Sequence, residues 1–327
     1  MRRQKMMANF LRSTRFILAL ATGLCAFAAH AADPVRLVVP FAAGGTQDLM
    51  ARVIQNALGQ ALGEPIIVEN RAGAGGTVGT ATVAASAPNG KTLALVASNH
   101  ASNPWLYPKM PYDALASFAP VAMIGKTGFA LVVSSALPVH TVAELVDYAK
   151  RHPNQLNYAS AGNGSNGHLG MALFAQMAGI QLQHIPFKST GEAMTDVLAG
   201  RSHLIMPATI GAVLAVSDKR ARILGMTSKV GHTGMFANFP LVADAGVQGF
   251  NYDAWYGLLA PAGTPRARIE QLHAAAEKAM RQDSVRDALQ KAGIEPALMG
   301  PNEFAAFLAA DYAETGKLVK STGARLE

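Results

Sequence analysis

The sequence contains only one cysteine among its 327 residues, Cys25. A disulfide, a cysteine nucleophile and a cysteine-rich zinc site are therefore excluded for the rest of the chain. The nine histidines form no His-x-x-x-His pair, and none adjoins a glutamate in the pattern of zinc peptidases, so no metal site is predicted. Charged residues make up only 15%, without blocks of like charge or internal repeats. This composition excludes charged tails and repeat arrays.

The first residues lack acidic side chains and are typical of a signal peptide. Five basic residues precede position 16, and residues 16–29 carry no charge. This uncharged run is shorter than the roughly 20 residues that a transmembrane helix needs. The sequence Ala29-His30-Ala31 suits signal peptidase, so we predict a signal peptide over 1–31, cleaved near Ala31, and export to the periplasm. Leu24 precedes Cys25 where a lipoprotein signal has a small residue, so no lipid anchor is expected.

The basic character of the chain lies largely in this leader. It holds five of the 28 basic residues and none of the 21 acidic ones, so the remainder carries 23 minus 21 charges, or +2. A nearly neutral chain needs no polyanionic partner, and no binding to nucleic acid is expected. The remaining chain, about 296 residues, suits two domains of roughly 100–150 residues each.

Short apolar runs alternate with helical patterns, which predicts an α/β fold built on parallel strands. The predicted strands are 36–39, 66–69, 93–97, 130–133, 156–159, 182–187, 203–206, 222–227 and 256–260. The clearest helix is 46–62, with one apolar stripe. A second is predicted to begin with a capping box at Thr141 and Glu144 and to end at His152. A third is predicted to have Thr264 as N-cap and Pro265 in its first turn.

Two glycine-rich loops, each between a strand and a helix, are the strongest candidates for ligand contact. The first, at 39–48, contains Gly44 and Gly45, which let backbone approach a ligand. The free N–H groups of the following helix suit a carboxylate. Asp48, in the first turn of that helix, is predicted to complement the helix dipole and not to bind ligand.

The second loop, at 158–168, adds the neutral donors Ser160, Asn163 and Ser165. His168, at the start of the next helix, is a further candidate for contact with the ligand. Ligands of open α/β sheets bind beyond the carboxyl ends of the strands, where both loops lie. Ser98 and Asn99 follow the strand 93–97 at the same kind of position, and we predict them as contacts too.

Two enzymatic interpretations of the second loop are weaker. It spells Gly162-x-Gly164-x-x-Gly167, the dinucleotide fingerprint, but Lys188 stands near the position where an acidic residue should bind the ribose. No cofactor is therefore predicted. A serine nucleophile at Ser165 would need glycine where Asn163 stands. An exported serine hydrolase that uses Ser165 and His168 remains the alternative enzyme.

Several motifs together resemble the extracytoplasmic solute receptors of tripartite tricarboxylate transporters, the Bug proteins. The motifs lie at 40–48, 68–76, 88–93, 158–169, 184–188 and 293–296 and span nearly the whole exported chain. The resemblance implies a type II periplasmic-binding-protein fold, with two α/β lobes and a ligand cleft between them. It implies a monomeric receptor, not an enzyme, for a small organic acid. The receptor would deliver this ligand to membrane transporter subunits or, alternatively, present it to the sensor kinase of a two-component system.

Carried over by position, the resemblance implies a ligand grip from both lobes. The first lobe would contribute Phe41, Gly45, Thr46 and Gln47, and the second would contribute Ser160, Gly162, Asn163, Gly164, Ser165 and His168. We predict that the first lobe comprises 32–128 and 251–327 and that the second, 129–250, is inserted, with crossings near 125–129 and 249–255.

The sequence departs from the family's usual pattern at four positions. Ala43 replaces a proline, Ser189 and Glu192 replace a glycine and a proline, and His203 replaces an acidic residue. Ala43 is expected to loosen the first loop. Because Ser189, Glu192 and His203 are expected near the wall of the second lobe, we expect a ligand that differs from the family's usual ones.

Overall fold

The computed structural model describes residues 33–107 and 109–322. The predicted signal peptide and its cleavage site near Ala31 lie outside the described residues. The strands are β1 Val35–Val39, β2 Ile66–Asn70, β3 Thr92–Ala97, β4 Phe118–Gly128, β5 Ala130–Ser134, β6 Asn157–Ser160, β7 Gln183–Pro186, β8 Leu204–Ile205, β9 Ala221–Met226, β10 Asp253–Pro261 and β11 Ile294–Met299.

Helices lie between most of these strands. They are α1 Thr46–Leu62, α2 Thr77–Ala84, α3 Asn99–Leu106, α4 Val142–Arg151, α5 Asn166–Ala178, α6 Thr190–Leu198, α7 Thr209–Ser217, α8 Arg266–Met280, α9 Asp283–Lys291 and α10 Pro301–Thr322, with single 3₁₀ turns at Ala74–Gly76 and Gly234–Phe236. No helix of the described ranges is long and apolar enough to cross a membrane.

The first sheet has six strands in the order β11-β4-β10-β3-β1-β2. One face packs against α1 and α8, where Leu37 and Leu95 meet the buried side chains of Ile54 and Leu272. The opposite face is covered by α10, whose Phe304 is fully buried. The sheet is therefore closed on both sides, as its nearly continuous apolar strands require.

The second sheet has five strands in the order β7-β6-β8-β5-β9. Its two faces also carry separate buried clusters. Helices α4 and α5 cover one face with Leu145 and Phe174, and α6 and α7 cover the other with Met194 and Ala212. Together the two sheets and their helices form the two lobes of an α/β protein.

The expectation of parallel strands is right for only part of each sheet. Strands β1, β2 and β3 are parallel, and so are β6, β7 and β8, because helices connect them. Strand β10 runs antiparallel to β3 and β4, and β5 runs antiparallel to β8 and β9. Both antiparallel strands begin where the chain crosses between the sheets: β5 starts directly after the carboxyl end of β4, with Phe129 alone between them, and β10 starts opposite Gly128, also at the carboxyl end of β4.

The chain enters the second sheet between Gly128 and Ala130 and has left it after Met226, before β10 begins at Asp253. The proposed lobe boundaries, 32–128 with 251–327 and 129–250, remain a prediction.

The predicted helix starts are correct in two cases and wrong in one. Helix α1 begins at Thr46 as predicted, and the Thr141 hydroxyl caps α4 by accepting from the Glu144 amide at 3.1 Å. The Glu144 carboxylate, however, accepts from the amide of His140, one residue earlier than in a capping box. Thr264 is not an N-cap, because its hydroxyl donates to the Pro261 carbonyl at 2.7 Å. Helix α8 begins one residue later than predicted, with Pro265 as its N-cap.

Candidate ligand-binding cleft

Four helix N-termini open onto one cavity of about 90 Å³ between the loops of the two sheets. Helix α1 follows β1, α5 follows β6, α6 follows β7 and α7 follows β8, so every helix starts beyond the carboxyl end of a strand. The helices contribute lining residues at or just before their first turns, including Gly45, Thr46 and Gln47, Ser165, Asn166 and Gly167, Ser189 and Thr190, and Pro207 and Ala208. Such a position is where open α/β sheets bind their ligands.

The cavity has the electrostatics of an anion site. No carboxylate side chain belongs to the described residues that line it, and Lys188 is their one charged member. Each helix N-terminus adds a partial positive charge and free N–H groups. Apolar contact comes from Phe41, Phe129 and Met206. The arrangement suits a small anion with an apolar part.

The Asp48 carboxylate fixes the conformation of the first glycine loop. The carboxylate of Asp48, only 4% exposed, accepts from the Gly44 amide at 2.9 Å and from the Arg52 guanidinium at 3.0 Å. Burial alone would raise the pKa of Asp48, but these hydrogen bonds outweigh it and hold the pKa below its ordinary value. Asp48 is therefore an ionised structural residue of the loop, as expected, and the pairing with Arg52 was not foreseen.

Phe41, Gly45, Thr46 and Gln47 all line the cavity. The Gln47 side chain also donates to the Leu95 carbonyl at 3.2 Å, which fixes the first turn of α1 against β3.

Two serines of the second loop also line the cavity. Ser165 is the N-cap of α5 and accepts from the His168 amide at 3.4 Å, which leaves its own O–H to donate elsewhere. Ser160 is 1% exposed, and its hydroxyl contacts both the Gly162 backbone and His184. These two hydroxyls were predicted as ligand contacts, and the structure brings them to the same cavity as the first loop.

The tip of the second loop does not line this cavity but contacts the other lobe. The Asn163 carbonyl accepts from the Tyr107 hydroxyl at 3.2 Å. Gly162 and Gly164 have φ angles of +110° and +74°, so glycine is needed there for the turn itself. A Cβ on Gly164 would lie 3.1 Å from the Asn103 side chain. The predicted contacts Asn163 and Gly164 thus lie against the other lobe, whereas Gly162 lies next to the Phe187 carbonyl of its own lobe.

Ser98 and Asn99 are likewise away from the cavity. The Asn99 amide, 4% exposed, donates to the Gly75 carbonyl at 2.7 Å and fixes the 3₁₀ turn. The Ser98 hydroxyl donates to the Asn166 side chain at 3.0 Å, a second contact between the lobes. Ser98 lines a separate cavity of about 480 Å³, which also contains Asp311.

His168 lies beneath the second loop. Its Nδ1 accepts from the Gly164 amide at 3.2 Å, and its ring stacks on that of His184 with centroids 4.1 Å apart. Both rings also stack against Tyr158. His168 therefore supports the loop, and its contact with the ligand stays a prediction.

Sequence reasoning missed a large part of the cavity wall. Lys188, Ser189 and Thr190 enter it from the start of α6, and Tyr256 enters it from β10. The signal for α6 was present in Ser189 and Glu192, the two unusual residues. The Ser189 hydroxyl accepts from the Glu192 amide at 3.2 Å, and the Glu192 carboxylate accepts from the Lys188 amide at 3.2 Å. The two departures together form one helix start.

The fourth departure has no contact with the cavity. His203 is hydrogen-bonded through Nδ1 to the Asn157 side chain at 2.8 Å, at the far end of the second sheet. Its effect is therefore on the sheet and not on the cavity lining.

Residues 50–324 match the family described as the tripartite tricarboxylate transporter family receptor. The chain belongs to this family. The receptor is 33% identical to Protein BugT of Bordetella pertussis over 91% of this chain and 92% of that protein. A solved protein of R. palustris with adipate has a TM-score of 0.84 and 31% identity, covering 90% of this receptor and 98% of that chain. MatC from Rhodopseudomonas palustris with bound malate has a TM-score of 0.80 and 30% identity, covering 88% and 98%.

Family membership makes the chain a periplasmic solute-binding receptor with the two-lobe fold of periplasmic binding proteins, as the sequence predicted. The family is one of receptors and not of enzymes.

Two buried histidines, His100 and His168, and the half-buried His184 predict that acid weakens the receptor's fold. Burial lowers the pKa of His100 and His168 to about 4, and burial with the neighbouring His168 lowers the pKa of His184 to about 3. Between about pH 6.5 and 4, the unfolded chain, whose histidines have pKa values near 6.5, binds more protons than the folded chain. The free energy of unfolding therefore falls as the pH is lowered through that range. Burial raises the pKa of Asp253 and Asp311, which offsets part of this loss.

We expect His100 and His168 each to remove roughly 1–2 kcal/mol of unfolding free energy between pH 7 and pH 5. Urea unfolding at the two pH values measures the difference. Equal stability at pH 5 and pH 7 would contradict the neutral state of these rings.

Proposed function

We propose that this receptor captures a small organic acid in the cleft and delivers it to a membrane transporter. The observation that carries the proposal is the anion site itself. Four helix N-termini and Lys188 face a cavity whose described lining includes no carboxylate. Fixed N–H dipoles bind an anion without a compensating charge in the site.

The size of the cavity limits the ligand. A water molecule needs at least about 10–15 Å³ of such space, so a cavity of about 90 Å³ holds only a few small groups. Adipate and malate, the acids named with two solved relatives, are small chains of this class. Both support a small organic acid as the ligand of this receptor.

We assign the carboxylate to the backbone N–H groups at the start of α1 and to the hydroxyls of Thr46, Ser160 and Ser165. Phe41 provides apolar contact for the rest of the ligand, and Lys188 provides a charge at the exposed side of the cavity. The lobes close over the ligand to the extent that it binds the closed form more tightly.

We propose no reaction in this cleft. A serine hydrolase would require the Ser165 hydroxyl to bond the His168 ring. Instead, Ser165 accepts from the backbone amide of His168, while Nδ1 of the ring accepts from Gly164. Presentation of the loaded receptor to a sensor kinase is the second candidate for its output. We further propose that the receptor is exported with a signal peptide cleaved near Ala31, which the N-terminal mass of the periplasmic protein would test.

A panel of acids and matched neutral amides tests the ligand class. Malate, adipate, tricarboxylates and monocarboxylates would be compared with the corresponding amides by thermal shift and calorimetry. An acid at 100 times its Kd should add about 2.7 kcal/mol to the free energy of unfolding, which corresponds to a Tm increase of roughly 5 °C for a chain of this size. Stabilisation by the amides equal to that by the acids would overturn the proposal.

A further inference from the structure

Tyr256 brings a buried phenol to the ligand cavity from β10, an interior strand of the first sheet. The residue is only 2% exposed, and it lines the cavity. It pairs with Ala97 of β3 on one side and with Gly125 of β4 on the other, and its side chain belongs to the buried cluster between this sheet and α1. A buried phenol normally has a hydrogen-bond partner. The partners of this hydroxyl therefore decide what it offers to a ligand.

The partner of the phenol is Thr46, the first residue of α1. Burial raises the pKa of Tyr256, and the hydrogen bond with the Thr46 side chain offsets only part of that rise, so the phenol keeps its proton at pH 7. Thr46 lines the cavity as well. Within residues 33–107 and 109–322, neither hydroxyl has a second hydrogen-bond partner.

The two hydroxyls together have one proton to spare. Each hydroxyl holds one proton and two lone pairs, and their mutual hydrogen bond uses one of the two protons. If Thr46 donates to Tyr256, the phenol proton is free, and if Tyr256 donates to Thr46, the threonine proton is free. In either direction the pair can donate to one further hydroxyl and also accept from it. A single hydroxyl group of a ligand satisfies both needs.

The carboxylate of a ligand is expected directly beside this pair. Gly45, the N-cap of α1, has no side chain to cap the helix, and the first backbone bond of the helix runs from the Leu49 amide to the Gly45 carbonyl at 3.0 Å. The amides of Thr46 and Gln47 are thus available to an anion. Because the amide and the hydroxyl of Thr46 belong to one residue, a carboxylate on these amides places its neighbouring carbon within reach of the pair.

We propose that Tyr256 is a specificity-determining residue, which binds with Thr46 a hydroxyl on the carbon next to the carboxylate, so that the receptor prefers 2-hydroxy acids. The three hydroxyls then form a closed ring in which each donates one hydrogen bond and accepts one. For such an acid, the Thr46 hydroxyl binds the hydroxyl of the ligand, and the carboxylate keeps the first-turn amides. The inference rests on the proposed function, because the carboxylate must be held at the start of α1.

Calorimetry of the full exported chain compares each 2-hydroxy acid with its unsubstituted parent: lactate with propionate, malate with succinate, and 2-hydroxyadipate with adipate. In the pair that binds most tightly, we expect the hydroxy acid to have a Kd at least about tenfold below that of its parent. The reason is that the parent leaves buried polar groups without a partner. Tyr256→Phe keeps the aromatic ring and should reduce this ratio below about threefold, mainly by weakening the hydroxy acid.

Two further variants complete the test. Thr46→Val removes the other hydroxyl of the pair at nearly constant shape and should reduce the same ratio, so it decides the matter if Tyr256→Phe does not fold. The matched control is Tyr148→Phe, which removes a phenol hydroxyl from α4, away from the cavity lining. This control should leave both affinities and their ratio unchanged.

The outcomes separate this inference from the proposed function. Equal affinities for hydroxy acid and parent, with both still bound better than their amides, would overturn the preference for 2-hydroxy acids and leave the proposed function intact. A preference that is unchanged in Tyr256→Phe would show that another group binds the hydroxyl and would also overturn the inference. Amides that bind as well as the acids would instead overturn the proposed function.

Discussion

Replacing Ser189 by aspartate is expected to weaken the binding of an organic acid roughly 100-fold and to leave the fold intact. Ser189 lines the cavity, and its hydroxyl caps α6. Aspartate caps a helix as well as serine does, so the change adds a negative charge to the cavity without removing the cap. Two like charges about 6 Å apart repel by about 3 kcal/mol at an effective dielectric constant near 20, which corresponds to roughly 100-fold in Kd.

The control is Ser189→Asn, which keeps the cap and adds no charge. Calorimetry with the acids of the panel should give this variant nearly the original affinity, and both variants should keep their Tm within a few degrees. Equal binding by the aspartate and asparagine variants would mean that the ligand in this cavity is not an anion.

Gly128→Ala is expected to destabilise the receptor by about 3 kcal/mol. Gly128 is the last residue of β4, where the chain passes to the second sheet. A methyl group there would overlap the Val230 carbonyl oxygen, which is backbone and cannot rotate away. The Ser228 hydroxyl, 3.2 Å from the same Cβ position, leaves no space on another side of the added methyl group. We expect a Tm lower by 5 °C or more.

A control glycine lies in α6. Gly191 is exposed, and a Cβ there would meet only the Ser189 hydroxyl at 3.9 Å. Gly191→Ala should therefore raise the stability by up to about 1 kcal/mol, because alanine loses less backbone entropy in a helix. Urea unfolding of the two variants makes the comparison. A Gly128→Ala variant as stable as the original would show that the backbone at the crossing between the sheets can shift at little cost in free energy.

The fold was predictable where local signals sufficed. Helix α1 was located correctly because a strand, two glycines and one apolar stripe follow each other within residues 36–62. Strands β4 and β11 were missed, since Pro120 and Gly125 interrupt β4 and Pro296 interrupts β11. The antiparallel strands could not be predicted from periodicity, because strand direction depends on which strands pair across the whole chain.

The residues of the cleft also divide into those that local patterns predict and those that depend on tertiary packing. Thr46 and Ser165 were predicted because each starts a helix that directly follows a strand and a glycine turn. Asn163 and Asn99 occupy similar local positions, but each is hydrogen-bonded to a residue distant in sequence. Asn163 is bonded to Tyr107, and Asn99 to Gly75. Lys188 reaches the cavity only because α6 and α1 face each other across the lobes. Such contacts follow from tertiary packing, which no local pattern contains.

The hydrogen bonds from Tyr107 to Asn163 and from Ser98 to Asn166 join the two lobes. At about 1 kcal/mol each, they favour this arrangement of the lobes roughly 30-fold over one in which both are broken. If a ligand binds only the arrangement that has these bonds, its measured affinity depends on the fraction of the empty receptor that has them, as well as on the contacts in the cleft. Substitutions at Tyr107 or Ser98 are then expected to change the affinity for every such ligand by the same factor.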